Sequence, residues 1–113
     1  YQEPSNSIRW QKKAVVLTNR RSYSATNDFV NTMRQFPNVT TMGDTTGGGS
    51  GLPFSSEIPN GWSIRFSASP MFDPDMNQLE FGIEPDVKVD MTSEDMQQGK
   101  DTIIETAIKK LKN

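Results

Sequence analysis

Residues 13–28 read Lys13-Ala14-Val15-Val16-Leu17-Thr18-Asn19-Arg20-Arg21-Ser22-Tyr23-Ser24-Ala25-Thr26-Asn27-Asp28, and they decide the architecture. The first six form a short apolar run, rich in β-branched side chains and flanked by charge. That pattern is expected of a buried strand in a parallel sheet. Ser22 to Asp28 is dense in the residue types that cap helices. Phe29, Val30, Met33 and Phe36 then recur at helical spacing and define one face, and Pro37 ends the helix because it cannot continue one. Val39 to Met42 reads as a second short strand. Strand, helix and strand in this order predict a βαβ unit with a right-handed crossover.

The elements that follow are shorter. Gly43 to Gly51 holds five glycines in nine residues and reads as a loop, most simply a flexible connection. It lacks the Lys-Ser/Thr ending of a phosphate-binding loop, so a nucleotide site is not expected there. Trp62, Ile64, Phe66 and Ala68 alternate with polar residues, which predicts a half-buried strand with Phe54 to Ile58 as its hairpin partner. Asp86 to Asp90 carries Val87 and Val89 in another short strand, and Ser93-Glu94-Asp95 starts a helical turn. The last helix runs from about Asp101, with Ile103, Ile104, Ala107, Ile108 and Leu111 on one face. Lys109, Lys110 and Lys112 complement its C-terminal dipole. Residues 1–12 are polar and irregular and are expected to be a leader or boundary segment, with residues 13–113 forming the folded part.

Composition limits the function. The chain has 113 residues, 12 Lys+Arg against 14 Asp+Glu and no basic run longer than two, so nucleic acid is not an expected partner. No stretch approaches the roughly 18 apolar residues of a membrane span. Cysteine and histidine are both absent, which removes thiol nucleophiles, thiolate or imidazole metal ligands and the usual neutral-pH base. No cofactor and no metal are expected. The six methionines share no stripe and are expected to fill the core.

Three side chains stand out chemically. Ser24 lies between a strand and a helix start, where free N–H groups and positive potential favour an oxyanion. A helix-capping serine is the commoner occupant of such a position. Glu80 and Glu84 flank Phe81-Gly82-Ile83, and a carboxylate there could orient a base, although exposed carboxylates near turns are frequent.

Four segments together resemble the second half of the catalytic core of the tail-specific, or carboxyl-terminal processing, serine proteases. They are Val15-Val16-Leu17-Thr18-Asn19 with Ser22 to Asp28, Met42-Gly43-Asp44-Thr45-Thr46-Gly47-Gly48-Gly49, Gly82-Ile83-Glu84-Pro85-Asp86-Val87, and Gly99-Lys100-Asp101 with the last helix. The resemblance spans about residues 13–112. It implies a layered α/β core like that of the crotonases and the Clp protease, with a βαβ opening, a β-hairpin region and a C-terminal helix. It places Ser24 on the nucleophile and Ala25 on the residue whose backbone N–H forms part of the oxyanion hole. Gly49 stands where the main branch carries a catalytic Lys. The pattern therefore resembles the tricorn and retinoid-binding-type branch, which uses Ser, His and Glu, and Glu80 matches that Glu best.

On this resemblance the His and the second oxyanion donor lie in an N-terminal part not contained in these residues. Glu80 is expected too far from Ser24 for a direct hydrogen bond, yet within reach of one bridging imidazole. The expected substrate is a peptide or unfolded protein, which in the family binds partly by strand addition. Export to the periplasm or envelope is expected from the resemblance alone. The competing reading is a non-catalytic domain that kept the protease fold for binding or scaffolding. A small α/β binding module without protease ancestry is the third, and it leaves Ser24 a mere cap.

Overall fold

The computed structural model describes Glu3 and residues 5–112. Strand β1 (Ala14–Thr18) leads into helix α1 (Ala25–Met33) and returns as strand β2 (Val39–Gly43). β1 and β2 pair in parallel, Ala14 opposite Val39 through Thr18 opposite Gly43. This is the βαβ unit read from residues 13–42. A hairpin follows, β3 (Pro53–Glu57) and β4 (Ser63–Ser67), antiparallel with Phe54 opposite Phe66. A 3₁₀ turn at Leu79–Phe81 precedes β5 (Val87–Lys88), which pairs in parallel with the end of β2. The short helix α2 (Ser93–Gln97) and the helix α3 (Thr102–Lys112) complete the order. The main sheet thus runs β1-β2-β5, with β2 in the middle.

The core is small and sits where α1 crosses the sheet. Val30 of α1, Leu79 and Ile83 are buried together, with Val16 and Met71 packed against them. Met42, on the sheet's centre strand, is buried, and Ala107 is buried where α3 packs on β1 and β2.

Several expectations about burial are corrected. The alternating strand Trp62 to Ala68 is not half-buried: all five residues of β4 are exposed, and Trp62 before them is 69% exposed. Alternation here yields one polar and one apolar face of β4 without burying either. Phe54 and Phe66 pack on each other, ring centroids 5.7 Å apart, and both remain exposed. Of the helical face on α1, only Val30 is fully buried; Phe29 and Phe36 are exposed. Of the methionines, Met42 alone is fully buried, while Met76, Met91 and Met96 are exposed. α1 ends at Met33, a turn earlier than Pro37 requires.

The glycine-rich stretch is corrected most. It is not a flexible connection. Thr45, Thr46 and Ser50 are buried, and the stretch is bonded on both sides to the segments around Ser24 and Glu80.

Candidate active site

Ser24 closes the link between β1 and α1. Its backbone sits at φ +57°, ψ −123°. A side chain in that region costs about 1–3 kcal/mol, which the surroundings must impose. The helix-capping bond that serine usually makes at this position is absent. The side chain is instead exposed and lines a cleft of about 600 Å³ together with Tyr23, Gly49, Arg65, Ser67 and Glu80. Ala25 is the first residue of α1. Its N–H belongs to the group that a helix start leaves without an intrahelical acceptor. The next N–H, of Thr26, turns back to the Tyr23 carbonyl at 3.2 Å, and that of Asp28 donates to the Ser24 carbonyl at 3.1 Å.

One peptide group holds the two sides of this cleft at a fixed separation. The Gly48 carbonyl accepts the Ser24 N–H at 2.7 Å, and the Gly49 N–H of the same peptide donates to the Glu80 carbonyl at 2.9 Å. The stretch therefore runs as a spacer between the Ser24 turn and the Glu80 turn. Both flanking residues must be glycine. A Cβ on Gly48 would collide with the Glu80 carbonyl, and a Cβ on Gly49 would enter the Tyr23 ring; both have φ +74°. At Gly49 the positive φ and the Tyr23 ring in its present position both disfavour a side chain.

Behind the spacer lies a buried polar network. Asn27, 0% exposed, donates to the Leu79 carbonyl at 3.0 Å and to the Ser50 hydroxyl at 2.7 Å. Its side-chain oxygen accepts from the Thr46 hydroxyl, which in turn accepts from the Ile83 N–H at 2.7 Å. Ser50 donates on to Asp28. Together these bonds tie the first turn of α1, the loop and the segment around Glu80 to one another. Such a network, fully satisfied in a low-dielectric interior, fixes relative position more firmly than exposed contacts do.

Glu80 sits in the 3₁₀ turn, half-buried, with its carboxylate in the cleft. Both its oxygens lie 3.1 Å from the Ser67 hydroxyl of β4. Ser24 and Glu80 line one cleft but share no side-chain hydrogen bond among the described residues. Glu84 faces elsewhere: its carboxylate accepts the Thr45 hydroxyl at 2.7 Å and supports the base of the loop. Among the described residues no group of three or more His, Cys, Asp or Glu could hold a metal ion.

Ser24, Ala25 and Glu80 were candidates from sequence, and one end of the molecule carries all three. Asn27, Thr46, Ser50, Ser67 and the Gly48–Gly49 peptide were not. The signal for the network was the hydroxyl residues set among the glycines, since a loop of that composition has polar groups to bury only if it packs.

No curated protein sequence matches the chain significantly. Among solved structures, a candidate peptidase from Parabacteroides merdae ATCC 43184 is 64% identical over 96% of this chain, with a TM-score of 0.92. The chain spans only 34% of that protein's length. Mature CPAF complexed with lactacystin shares the fold at 19% identity, covering 84% of this chain and 19% of its own, with a TM-score of 0.73. The tricorn protease does so at 22% identity, covering 89% of this chain and 11% of its own, with a TM-score of 0.72. The family model for peptidase family S41 matches residues 1–89. By the α/β fold shared with these proteases and by this match, the chain belongs to peptidase family S41.

Proposed function

We propose that these residues form part of a serine endopeptidase in which Ser24 is the nucleophile, the Ala25 N–H is one oxyanion donor and Glu80 orients the base. The observation that carries the reading is the backbone of Ser24, held at φ +57°, ψ −123° with its hydroxyl unused as a cap and facing the cleft. A strained, exposed serine at the turn from strand to helix is the arrangement a nucleophile needs. The base is an imidazole from residues outside these 113, which contain no His. The substrates are peptides or unfolded proteins.

The chemistry follows from the geometry. The imidazole enters between Ser24 and Glu80, takes the hydroxyl proton as Ser24 attacks the scissile carbonyl, and later returns it to the leaving amine. Glu80 accepts the other ring N–H and favours the imidazolium. The helix start of α1 supplies positive potential to the tetrahedral oxyanion. A Ser–Lys dyad with the Lys at position 49 is not available, because that residue is glycine.

The test is kinetic, in the longer protein that contains these residues. Ser24→Ala is expected to lower kcat by roughly 10⁴-fold and Glu80→Gln by roughly 10²–10⁴-fold, with the fold intact. Unchanged cleavage in either variant removes that residue from the mechanism. Absence of any cleavage by the wild type favours the scaffolding reading, for which Gly49 in place of Lys is the supporting feature.

A further inference from the structure

We infer that Ser67 on the β3–β4 hairpin is a positioning residue for the Glu80 carboxylate, an inference that rests on the orienting role proposed for Glu80. A glutamate side chain has three rotatable bonds, and on a short 3₁₀ turn at a cleft edge it would sample many of them. Here it does not have that freedom. The Ser67 hydroxyl stands 3.1 Å from each carboxylate oxygen, so its single proton is shared between them. The bond leaves the remaining lone pairs of both oxygens free for an incoming N–H.

The hydroxyl is itself well placed. Ser67 is paired with Pro53 at the base of the hairpin, next to the point where the Ala68 and Ser69 N–H groups bond the Gly51 carbonyl at 3.0 and 3.1 Å. Gly51 allows this approach: a Cβ there would crowd both Ser67 and the Glu80 carboxylate. The side chain thus projects from the hairpin's best-anchored end. The hairpin has no other role in the core, since β4 is exposed throughout. Its one side-chain hydrogen bond to the rest of the protein, among the described residues, runs from Ser67 to Glu80. The hairpin therefore joins the catalytic machinery through this hydroxyl.

The experiment compares Ser67→Ala, Ser67→Val and Ser67→Thr in the longer protein, with intramolecularly quenched fluorescent casein as substrate. Threonine keeps the hydroxyl and valine keeps threonine's shape without it. Ala and Val are expected to lower kcat roughly ten- to hundredfold, as loss of an orienting partner does, while Thr stays near wild type. KM is expected to remain within about twofold in all three. The inference is overturned if Ala and Val keep the wild-type kcat, if Thr falls as far as Val, or if KM rises at unchanged kcat. Ser24→Ala is run alongside. If the wild type does not cleave, or cleavage survives Ser24→Ala, the nucleophile reading fails and this inference fails with it. If Ser24→Ala and Glu80→Gln abolish cleavage while Ser67→Ala does not change it, only the present inference fails.

Discussion

A serine at φ +57° pays a conformational penalty that glycine would not, and this gives Ser24 a signature separable from its chemistry. Ser24→Gly is expected to leave the fold as stable or more stable by about 1 kcal/mol, while Ser24→Val, β-branched, lowers stability by about 2 kcal/mol. Urea denaturation of the 113-residue chain measures both. A loss of stability in Ser24→Gly would mean that the turn is not strained. Gly49 gives the converse case. Gly49→Lys is expected to destabilise the chain and not to restore a dyad, because its Cβ meets the Tyr23 ring. At this scale the sequence was informative for Ser24 and Glu80, whose neighbours fit a known pattern. It could not reveal Ser67, whose partner lies 13 residues further on, beyond a strand that alternation alone describes as half-buried.

Between elements, the polar network matters more than the apolar core. Asn27→Leu keeps the branched outline but removes the acceptor of the Thr46 hydroxyl and one donor each to the Ser50 hydroxyl and the Leu79 carbonyl. The expected loss is roughly 2–4 kcal/mol, since unmet buried polar groups cost about 1–3 kcal/mol each and part of the cost relaxes. A denaturant midpoint within error of wild type would contradict the network's role. A second junction is pH-sensitive. The Thr102 hydroxyl donates to Asp95 at 2.7 Å across the α2–α3 corner and holds the Asp95 carboxyl below its usual 3.8. A depressed folded-state pKa contributes stability above the unfolded value, and that contribution is lost as pH falls through the folded value. Thr102→Val also removes the acceptor of the Thr92 N–H at every pH, so it is expected to lower stability more at pH 6 than in acid below the usual carboxylate range. An effect constant down to the acid transition would contradict this.

Element order and parallel pairing were legible in residues 13–42, where periodicity switches cleanly from strand to helix. The loop was misread as flexible because glycine content reports backbone freedom and not packing. Thr45, Thr46 and Ser50 spend that freedom on tertiary bonds.

As a whole the molecule is spread out. Its Cα radius of gyration is 17.7 Å with extents of 58 × 45 × 24 Å, against about 13 Å for a compact chain of this length. Phe54, Ile64 and Phe66 on the hairpin and Ile104, Ile108 and Leu111 on α3 remain exposed. The hydrophobic periodicity of α3 was legible, but periodicity shows which face wants cover and not whether these residues supply it. An isolated 113-residue chain with so little buried apolar area is expected to be marginally stable and to bind a hydrophobic dye in its native state. A native state that binds no dye would show that these faces cover one another in solution.

The cleft is likewise open, lined by Ser24 and Glu80, the residues proposed as nucleophile and orienting carboxylate, and the 113 residues contain no His. The most direct measurement is therefore to treat the longer protein and the isolated chain with a serine-reactive fluorophosphonate and map the adduct by mass spectrometry. The expected result is rapid modification of Ser24 in the longer protein and little in the isolated chain. An unmodified Ser24 in the longer protein, or equally fast labelling of the isolated chain, would contradict the assignment of Ser24 as a nucleophile served by a base from outside these residues.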